Sequence, residues 1–340
     1  MLGLDATRGN ALEESSEDAP RWHGEPVYVY SGDILELAPL IPFFERQPFG
    51  TSDGEKPAGD ARTRRLRASG ENKLWDVIVR KPLFKEDKPT PVGIVSKHYN
   101  LVQHRDLFRK ATEALEKAGI QTGECKAELM LSAYGTRMAL IFELPEKFSF
   151  DPGDHMPLAL RFYGVNSVDA SSRLTIMFGW FRFICCNGLV VGTAQLSQKF
   201  VHNEHLELPD LPEVLAQGIS LAEKEKVTLQ GWIKKEVSLG RVEQWIDSKV
   251  RDSWGPLAAA RTYHICRTGK DAQFANHAEK ALPHIKKMIP TVDVPGAPPE
   301  ARNAYHICQA LSWVAKERRQ IQDQLGGMQQ LPELMEALLR

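Results

Sequence analysis

The stretch that decides the fold covers residues 158–192 and reads LALRFYGVNSVDASSRLTIMFGWFRFICCNGLVVG. In 158–163 and again in 173–180, large apolar side chains alternate with polar or small ones, which is the two-residue period of a β-strand. The segment between them, 166–172, is polar, and Asn, Ser and Asp reverse a chain because their side chains hydrogen-bond their own backbone. The stretch therefore predicts a β-hairpin. After Gly179 the apolar phase shifts, as a β-bulge produces.

Strand and helix patterns are mixed before this hairpin, whereas only helical patterns follow it. Upstream, the periods predict two strands, an amphipathic helix and a second hairpin at 74–80, 92–99, 107–118 and 129–144. Downstream, apolar residues recur at three- and four-residue intervals, and Gly326-Gly327 is expected to end one helix before a short terminal one. This order predicts an α+β fold: an antiparallel sheet with a packed helix, followed by an α-helical C-terminal region.

Composition sets the broad class and the division of the chain. The chain has 340 residues and is 42% hydrophobic, which is ordinary for a soluble globular protein. No run approaches the ~20 apolar residues of a membrane span, no secretory signal opens the sequence, and the five cysteines lack a disulfide framework, so we expect a cytoplasmic protein. The predicted divisions are a tail and linker over 1–70, a core over 71–205 and a helical region over 206–340.

Charge is distributed unevenly although the net charge is only −1. Residues 1–59 hold four Lys and Arg against eleven Asp and Glu, a balance of −7, and residues 60–110 hold thirteen against six, a balance of +7. Residues 1–20 have little to bury, so we expect an acidic, disordered tail. The linker ends in four arginines, which are typical of either a solvated tether or a phosphate contact: Arg62, Arg64, Arg65 and Arg67.

Three motifs together resemble a known family. They are Gly93-Ile-Val-Ser-Lys-His-Tyr99, the Asn166-Ser-x-Asp-x-Ser171 turn, and Arg182-aromatic-x-Cys-x-Asn-Gly-Leu189. As a set they resemble domain of unknown function family 932, which is associated with phages and plasmids, over roughly 92–325. The resemblance implies a role in mobile-element DNA metabolism. It supplies no catalytic residue.

Two cysteine patterns suggest a metal site or a catalytic cysteine, but neither pattern establishes one. Tyr263-His-Ile-Cys266 recurs as Tyr305-His-Ile-Cys308, but residues two apart on a helix do not face each other, which disfavours a zinc site. Cys185-Cys186 includes a candidate nucleophile, yet no histidine spacing selects a base for it. The sequence also lacks a phosphate-binding glycine loop. We therefore predict no cofactor, no metal and no catalytic residue, and lean towards a protein that is not an enzyme.

A surface hypothesis remains. If the apolar face of the predicted hairpin packs on helices, its other face should meet water and carry Arg161, Tyr163, Arg173 and, depending on the bulge, Arg182. Arginines beside an aromatic side chain can hold a nucleic-acid strand through phosphate contacts and base stacking. Lys97, at the end of a predicted strand, completes the candidate set together with the four linker arginines.

Three functions are consistent with these patterns. The first is a non-catalytic DNA-binding accessory protein, with single-stranded DNA the favoured partner, no membrane, and homo-oligomerisation left open. A helix packed on an antiparallel sheet loosely resembles the annealing proteins of phage recombination. The acidic tail would compete for the basic segment, so removal of residues 1–59 should strengthen DNA binding. The second is a protein-interaction module, such as an inhibitor of a host defence system, and the third is a hydrolase with an unrecognised site.

Overall fold

The structure is a computed structural model that describes residues 21–22, 25–50, 71–83, 87–152, 155, 157–181, 194–273, 289–318 and 320–340. Its strands are β1 Arg21–Trp22, β2 Glu25–Asp33, β3 Phe44–Gly50, β4 Glu71–Arg80, β5 Thr90–Ser96, β6 Lys126–Ser132, β7 Arg137–Glu143, β8 Ser149–Phe150, β9 Leu158–Ser167, β10 Leu174–Phe181, β11 Ala194–Phe200, β12 Lys270–Gln273 and β13 Ile289–Asp293. Its helices are α1 Ile34–Leu37, α2 His104–Lys117, α3 Leu211–Lys234, α4 Leu239–Trp245, α5 Arg251–Thr268, α6 Ala304–Lys316 and α7 Ile321–Leu339.

The main sheet is antiparallel and has the strand order β1-β2-β6-β7-β9-β10-β11, with β8 paired to β9. The predicted hairpin is present and contributes two interior strands, with β9 paired to β10 from Val165 and Thr175 to Ala159 and Phe181. The bulge is also present, since the register between β10 and β11 shifts after Phe178. Strand β2 pairs with β6 over seven residue pairs, so residues 25–33, which the sequence analysis assigned to the tail and linker, are part of the main sheet.

A second sheet has three antiparallel strands in the order β3-β4-β5, and we call it the small sheet. Its buried side consists of Phe44, Ile78 and Val95, which pack with Tyr99 and with Val168 from the β9–β10 turn. The small sheet therefore packs against the end of the main sheet where that turn lies. Residues 51–70 connect β3 to β4 along the chain and lie outside the described ranges.

Helices cover both faces of the main sheet. On one face α2 and α3 pack on the apolar side chains of β7, β9 and β10, where Phe142, Phe162 and Phe178 form an aromatic row. On the other face α7 contributes Met328 against Ile141 and Met177 of the sheet. The predicted α+β fold, with antiparallel strands followed by a helical C-terminal region, is confirmed. The predicted disorder of the N-terminal tail concerns residues 1–20, which lie outside the described residues.

Helix α7 corrects one element of the prediction. Gly326-Gly327 does not end a helix, because α7 continues through both glycines and through Pro332 to Leu339. A Cβ atom at Gly327 would lie 2.9 Å from the Cβ of Ala315 in α6, so this glycine allows close packing of α6 and α7. The sequence of 274–289 also predicts a helix, but all of that range except Ile289, which begins β13, lies outside the described residues. No helix in the described part of the chain is both long and apolar enough to cross a bilayer.

Candidate functional site

Two of the sequence motifs meet where the small sheet joins the main sheet. The Tyr99 hydroxyl donates a hydrogen bond to the Ser167 carbonyl at 2.9 Å, and the Tyr99 ring stacks on His202 with 5.0 Å between centroids. Gly93 lies against Asp169, since an added Cβ atom would come within 2.9 Å of the Asp169 Cβ. The Gly93–Tyr99 and Asn166–Ser171 motifs therefore form one contact between β5 and the β9–β10 turn.

Arg137 fixes this turn from the main sheet. Its guanidinium donates to the Ser171 hydroxyl at 2.6 Å, pairs with the Asp169 carboxylate at 3.3 Å, and pairs with Glu25 of β2 at 3.2 Å. A buried cation needs such partners because leaving it unpaired costs several kcal/mol, on the order of 3–5. The motif residues thus hold the turn rigid, and they point to one another instead of into a cleft.

His104 lies beneath the same junction and is fully buried. Its Nε2 donates to the Gly135 carbonyl at 3.0 Å, and its Nδ1 accepts a hydrogen bond from the Asn166 side-chain amide at 2.9 Å. Burial lowers the pKa of His104 to about 4, so the ring is neutral at neutral pH. Both ring nitrogens are used inside the protein, which gives this histidine a structural role.

The outer face of the small sheet, opposite its buried side, carries exposed apolar side chains. Successive side chains of a strand alternate between the two faces. The outer face therefore carries Phe43, which directly precedes β3, Phe49 on β3, Trp75 on β4 and Ile94 on β5. These four side chains are between 39% and 55% exposed. Isolated exposed apolar residues are ordinary, but four on one face of a three-stranded sheet form a patch that fits a binding surface.

The polar residues of the outer face are few and mostly paired. Lys81 forms an ion pair with Glu45 at 2.5 Å, and the Gln47 amide donates to the same carboxylate at 3.3 Å. Both partners of the ion pair are more than 40% exposed in their side chains, so the pair contributes little stability, about 0–1 kcal/mol. Lys81 can therefore exchange Glu45 for another anion at small cost.

The predicted exposed face of the main sheet is not exposed at Arg161 and Tyr163. Each retains only 4% of its accessible surface, so the expectation that they meet water was wrong. The Arg161 guanidinium pairs with the Glu143 carboxylate, and Tyr163 packs with Met177 and Met328 beneath α7. The physical reason is that α7 supplies a second apolar layer. Alternation along a strand cannot distinguish such a layer from water.

The other predicted site residues are dispersed. Arg173 is exposed in the β9–β10 turn. Lys97 is half-buried and forms an ion pair with Asp76 at 3.6 Å, and the same carboxylate lies 3.6 Å from Arg46. The remaining predicted residues lie outside the described ranges, namely Arg62, Arg64, Arg65, Arg67 and Arg182. The structure therefore does not bring the predicted set together on one surface.

The described cysteines are poorly suited to catalysis. Burial raises the pKa of Cys125 to about 11 and the pKa of both Cys266 and Cys308 to about 12, so all three are thiols at neutral pH. In the parts of the chain that the structure describes, no group of three His, Cys, Asp or Glu is placed to hold a metal ion. Cys185 and Cys186 lie outside those parts.

The sequence reasoning missed the outer face of the small sheet. The strand at 74–80 was predicted, but its apolar pattern does not show whether the face that carries Trp75 is covered. A usable signal was present, because Trp75 and Phe49 flank the arginine-rich connection on its two sides. The pairing of β3 with β4 places these two residues on the same side of one hairpin.

Comparison with known proteins identifies the family. The family described as a domain of unknown function (DUF932) matches residues 91–287, which is more than half of the chain. The chain belongs to the DUF932 family. No curated protein and no solved structure matches it. The DUF932 match includes β5 and the β9–β10 turn, whereas β3, β4 and α7 fall outside it.

Proposed function

We propose that this DUF932 protein is a non-catalytic accessory protein of DNA metabolism that binds single-stranded nucleic acid on the outer face of its small sheet. The observation that carries the proposal is the set of exposed aromatic side chains on that face: Phe43, Phe49 and Trp75. Exposed rings on a sheet give unpaired bases a surface on which to stack. Every base has a π-face, so such binding tolerates any sequence.

Single strands fit this surface better than duplexes. In a duplex the faces of the bases are already stacked on one another, and only base edges and phosphates are accessible. An aromatic side chain on the surface of a flat sheet cannot reach bases that are stacked inside a duplex. Stacking of Trp75 and Phe49 therefore requires bases that are free of their partners.

Cations for the phosphates come from the sequence beside the hairpin. Residues 51–70 join the end of β3 to the start of β4, and they include Arg62, Arg64, Arg65 and Arg67. A guanidinium binds phosphate oxygens in pairs, and binding releases condensed counterions, so the affinity should fall as salt rises. Trp75 and Phe49 lie at the end of the hairpin that this connection closes.

A protein partner is the second candidate for the same surface. Ile94 on this face is an exposed aliphatic residue, and aliphatic side chains contribute to protein contacts but not to base stacking. A protein-interaction module, for instance an inhibitor of a host defence system, would use the outer face by shape and apolar burial. Its affinity would depend only weakly on salt.

The test is a fluorescence anisotropy titration with labelled single- and double-stranded oligonucleotides at two salt concentrations. We expect the wild-type protein to bind the single strand more tightly at low salt. Trp75→Ala should weaken that binding by roughly 5- to 150-fold, because base–aromatic stacking contributes about 1–3 kcal/mol per base. Leu257→Ala is the matched control, since Leu257 is an exposed apolar residue on α5, away from the small sheet.

The outcomes separate the candidates. Loss of binding in Trp75→Ala together with wild-type binding in Leu257→Ala supports the proposal. If neither oligonucleotide binds at either salt concentration, the nucleic-acid proposal is wrong and a protein partner is favoured. Cleavage of the oligonucleotide during the titration would point instead to a hydrolase.

A further inference from the structure

We infer that a second nucleic-acid contact lies at the tip of the β6–β7 hairpin, formed by Phe43, Tyr134 and Arg105, which we call the tip cluster. This inference rests on the proposed function. It assigns the bound single strand a route that starts at Trp75, crosses the outer face of the small sheet and ends at Tyr134. The ligand is again single-stranded nucleic acid. The bound strand would be longer than the one that a single pair of aromatic side chains could hold.

A close contact between Gly135 and the Pro42 side chain brings the chain segments that carry the two aromatic residues of the tip cluster together. Gly135 follows Tyr134 in the tight β6–β7 turn, where it has a φ of +69°, and an added Cβ atom would lie 2.7 Å from Cγ of Pro42. Pro42 precedes Phe43 in the chain. The residues next to this contact, Tyr134 and Phe43, are 48% and 43% exposed, so an exposed aromatic residue flanks the contact in each of the two segments.

Arg105 supplies the cation of the tip cluster. Its Nε donates to the Ile41 carbonyl at 2.8 Å, immediately before Pro42. Arg105 is an exposed residue. Among the described residues, the two terminal nitrogens of its guanidinium have no hydrogen-bond partner. A guanidinium fixed through one nitrogen and open at the other two is well placed to bind a phosphate.

The framework beneath the tip cluster is rigid, so nucleic-acid binding there would cost little conformational entropy. Gln103 forms two hydrogen bonds with the Phe44 backbone, accepting from its N–H at 3.0 Å and donating to its carbonyl at 2.8 Å. His104 donates to the Gly135 carbonyl from below at 3.0 Å. The turn, the start of β3 and the start of α2 are thereby held in one position.

The tip cluster continues the outer face. Phe43 and Phe49 are six residues apart along one extended chain, which corresponds to about 20 Å at 3.3 Å per residue. The Lys81 N–H donates to the Phe43 carbonyl at 2.8 Å, which extends the β3–β4 ladder to Phe43. Lys81 lies opposite Phe43 in this ladder, and its exposed ion pair with Glu45 can be exchanged for a phosphate. The outer face therefore carries aromatic side chains at both ends and a cation beside Phe43.

The experiment measures the affinity for a single-stranded oligothymidylate of about 25 nucleotides, longer than the ~4–16 nucleotides of a compact site, across a series of salt concentrations. Tyr134→Ala should weaken binding by roughly 5- to 150-fold with the salt dependence unchanged. Arg105→Gln should make the slope of log affinity against log salt shallower by about 0.7, the value for one phosphate on a single strand. Lys117→Gln is the control, because Lys117 is an exposed cation at the other end of α2.

Trp75→Ala is measured in parallel, and circular dichroism verifies that each variant is folded. If Tyr134→Ala and Arg105→Gln match the wild type while Trp75→Ala loses affinity, the tip cluster is not a contact and the inference is overturned, although the proposed function stands. If Lys117→Gln changes the salt slope as much as Arg105→Gln does, the cation effect is nonspecific and the inference is also overturned. If the wild-type protein binds no oligonucleotide, both the inference and the proposed function are wrong.

Discussion

His104 shows how a single buried residue links the fold to pH. It is fully buried, and both of its ring nitrogens have hydrogen-bond partners that require a neutral ring. Protonation would place a charge in an apolar interior and would turn the Nδ1 acceptor into a donor facing the Asn166 amide, which is itself a donor. The neutral histidine is therefore a condition of the native structure.

A pH dependence follows from this residue. Its pKa is about 4 in the folded protein and near 6.5 when unfolded, so the unfolded state binds the proton first as the pH falls. The stability that neutral His104 provides is complete above pH 6.5 and is lost between 6.5 and about 4. The loss should be on the order of 3 kcal/mol. Urea unfolding of the wild type and of His104→Gln at pH 7 and pH 4.5 measures it.

The variant separates His104 from the carboxylates, which also contribute to acid unfolding. Glutamine does not titrate, so the stability difference between the wild type and His104→Gln should shrink as the pH falls. A difference that stays constant over this range would contradict the assignment of the pH effect to His104.

Arg161 shows that the position of a residue in a strand does not decide whether its side chain is exposed. Its position on β9 alternates with the apolar core residues, which predicts a side chain in water. The structure shows it buried and paired with Glu143, and burial raises the pKa of nearby Glu128. An arginine at a polar position of a strand is therefore equally consistent with a solvated surface and with a buried ion pair.

At the scale of elements, the small sheet depends on one close contact. Strand β5 meets the β9–β10 turn at Gly93, where the Cβ and Cα atoms of Asp169 would lie 2.9 and 3.1 Å from an added Cβ atom. Arg137 holds Asp169 in place, so the turn cannot retreat without breaking an ion pair. The small sheet is positioned by this contact and by the apolar cluster around Ile78 and Val95.

Gly93→Ala should therefore destabilise the protein by about 1–3 kcal/mol, the usual cost of an added methyl group in a tightly packed site. Denaturant unfolding measures the effect. Gly123→Ala is the control, because an added Cβ atom there meets nothing within 4 Å. Equal stabilities of the two variants would show that β5 and the turn can separate freely.

Helix α7 decides what the main sheet can bind. Ile321 packs with Val165 and Ala139 at one end, and Met328 packs with Tyr163 and Met177 further along. The second half of the helix is anchored to α4, since the Trp245 indole donates to the Leu334 carbonyl at 3.0 Å. With this face covered, three of the four strongly exposed aromatic side chains in the described ranges belong to the small sheet: Phe43, Phe49 and Trp75.

At the scale of the whole molecule, the acidic N-terminus and the basic connection carry opposite charges. Residues 1–20 hold five Asp and Glu against one Arg, whereas residues 60–70 hold four Arg against one Asp. Opposite charges attract at low salt, so we expect the acidic segment to compete with phosphates for these arginines. Removing residues 1–59, as the sequence alone suggested, would delete β1, β2 and β3 and so damage both sheets.

A shorter truncation tests this competition. Deletion of residues 1–20 leaves every described strand intact and should strengthen binding to single-stranded DNA at low salt. The gain should disappear at high salt, where the Debye length falls to about 3 Å at 1 M. Anisotropy titrations of the full-length and truncated proteins at both salt concentrations measure it. An affinity that truncation leaves unchanged at low salt would contradict the idea.

The sequence by itself determined the local elements: the β9–β10 hairpin and its bulge, helix α2, the mainly helical C-terminal region, and the motifs that mark the DUF932 family. It did not indicate the short strands β12 and β13, which lie between α5 and α6. These depend on periods of two and 3.6 residues and on turn chemistry, which act over a few neighbouring residues. Only the tertiary structure decided which faces are covered. Alternation along β9 shows that its two faces differ. Helix α7, more than 150 residues away in sequence, buries Tyr163, whereas none of the described elements covers Trp75 on β4 to the same degree. Burial is set by what packs from elsewhere in the chain, and a local period carries no information about that partner.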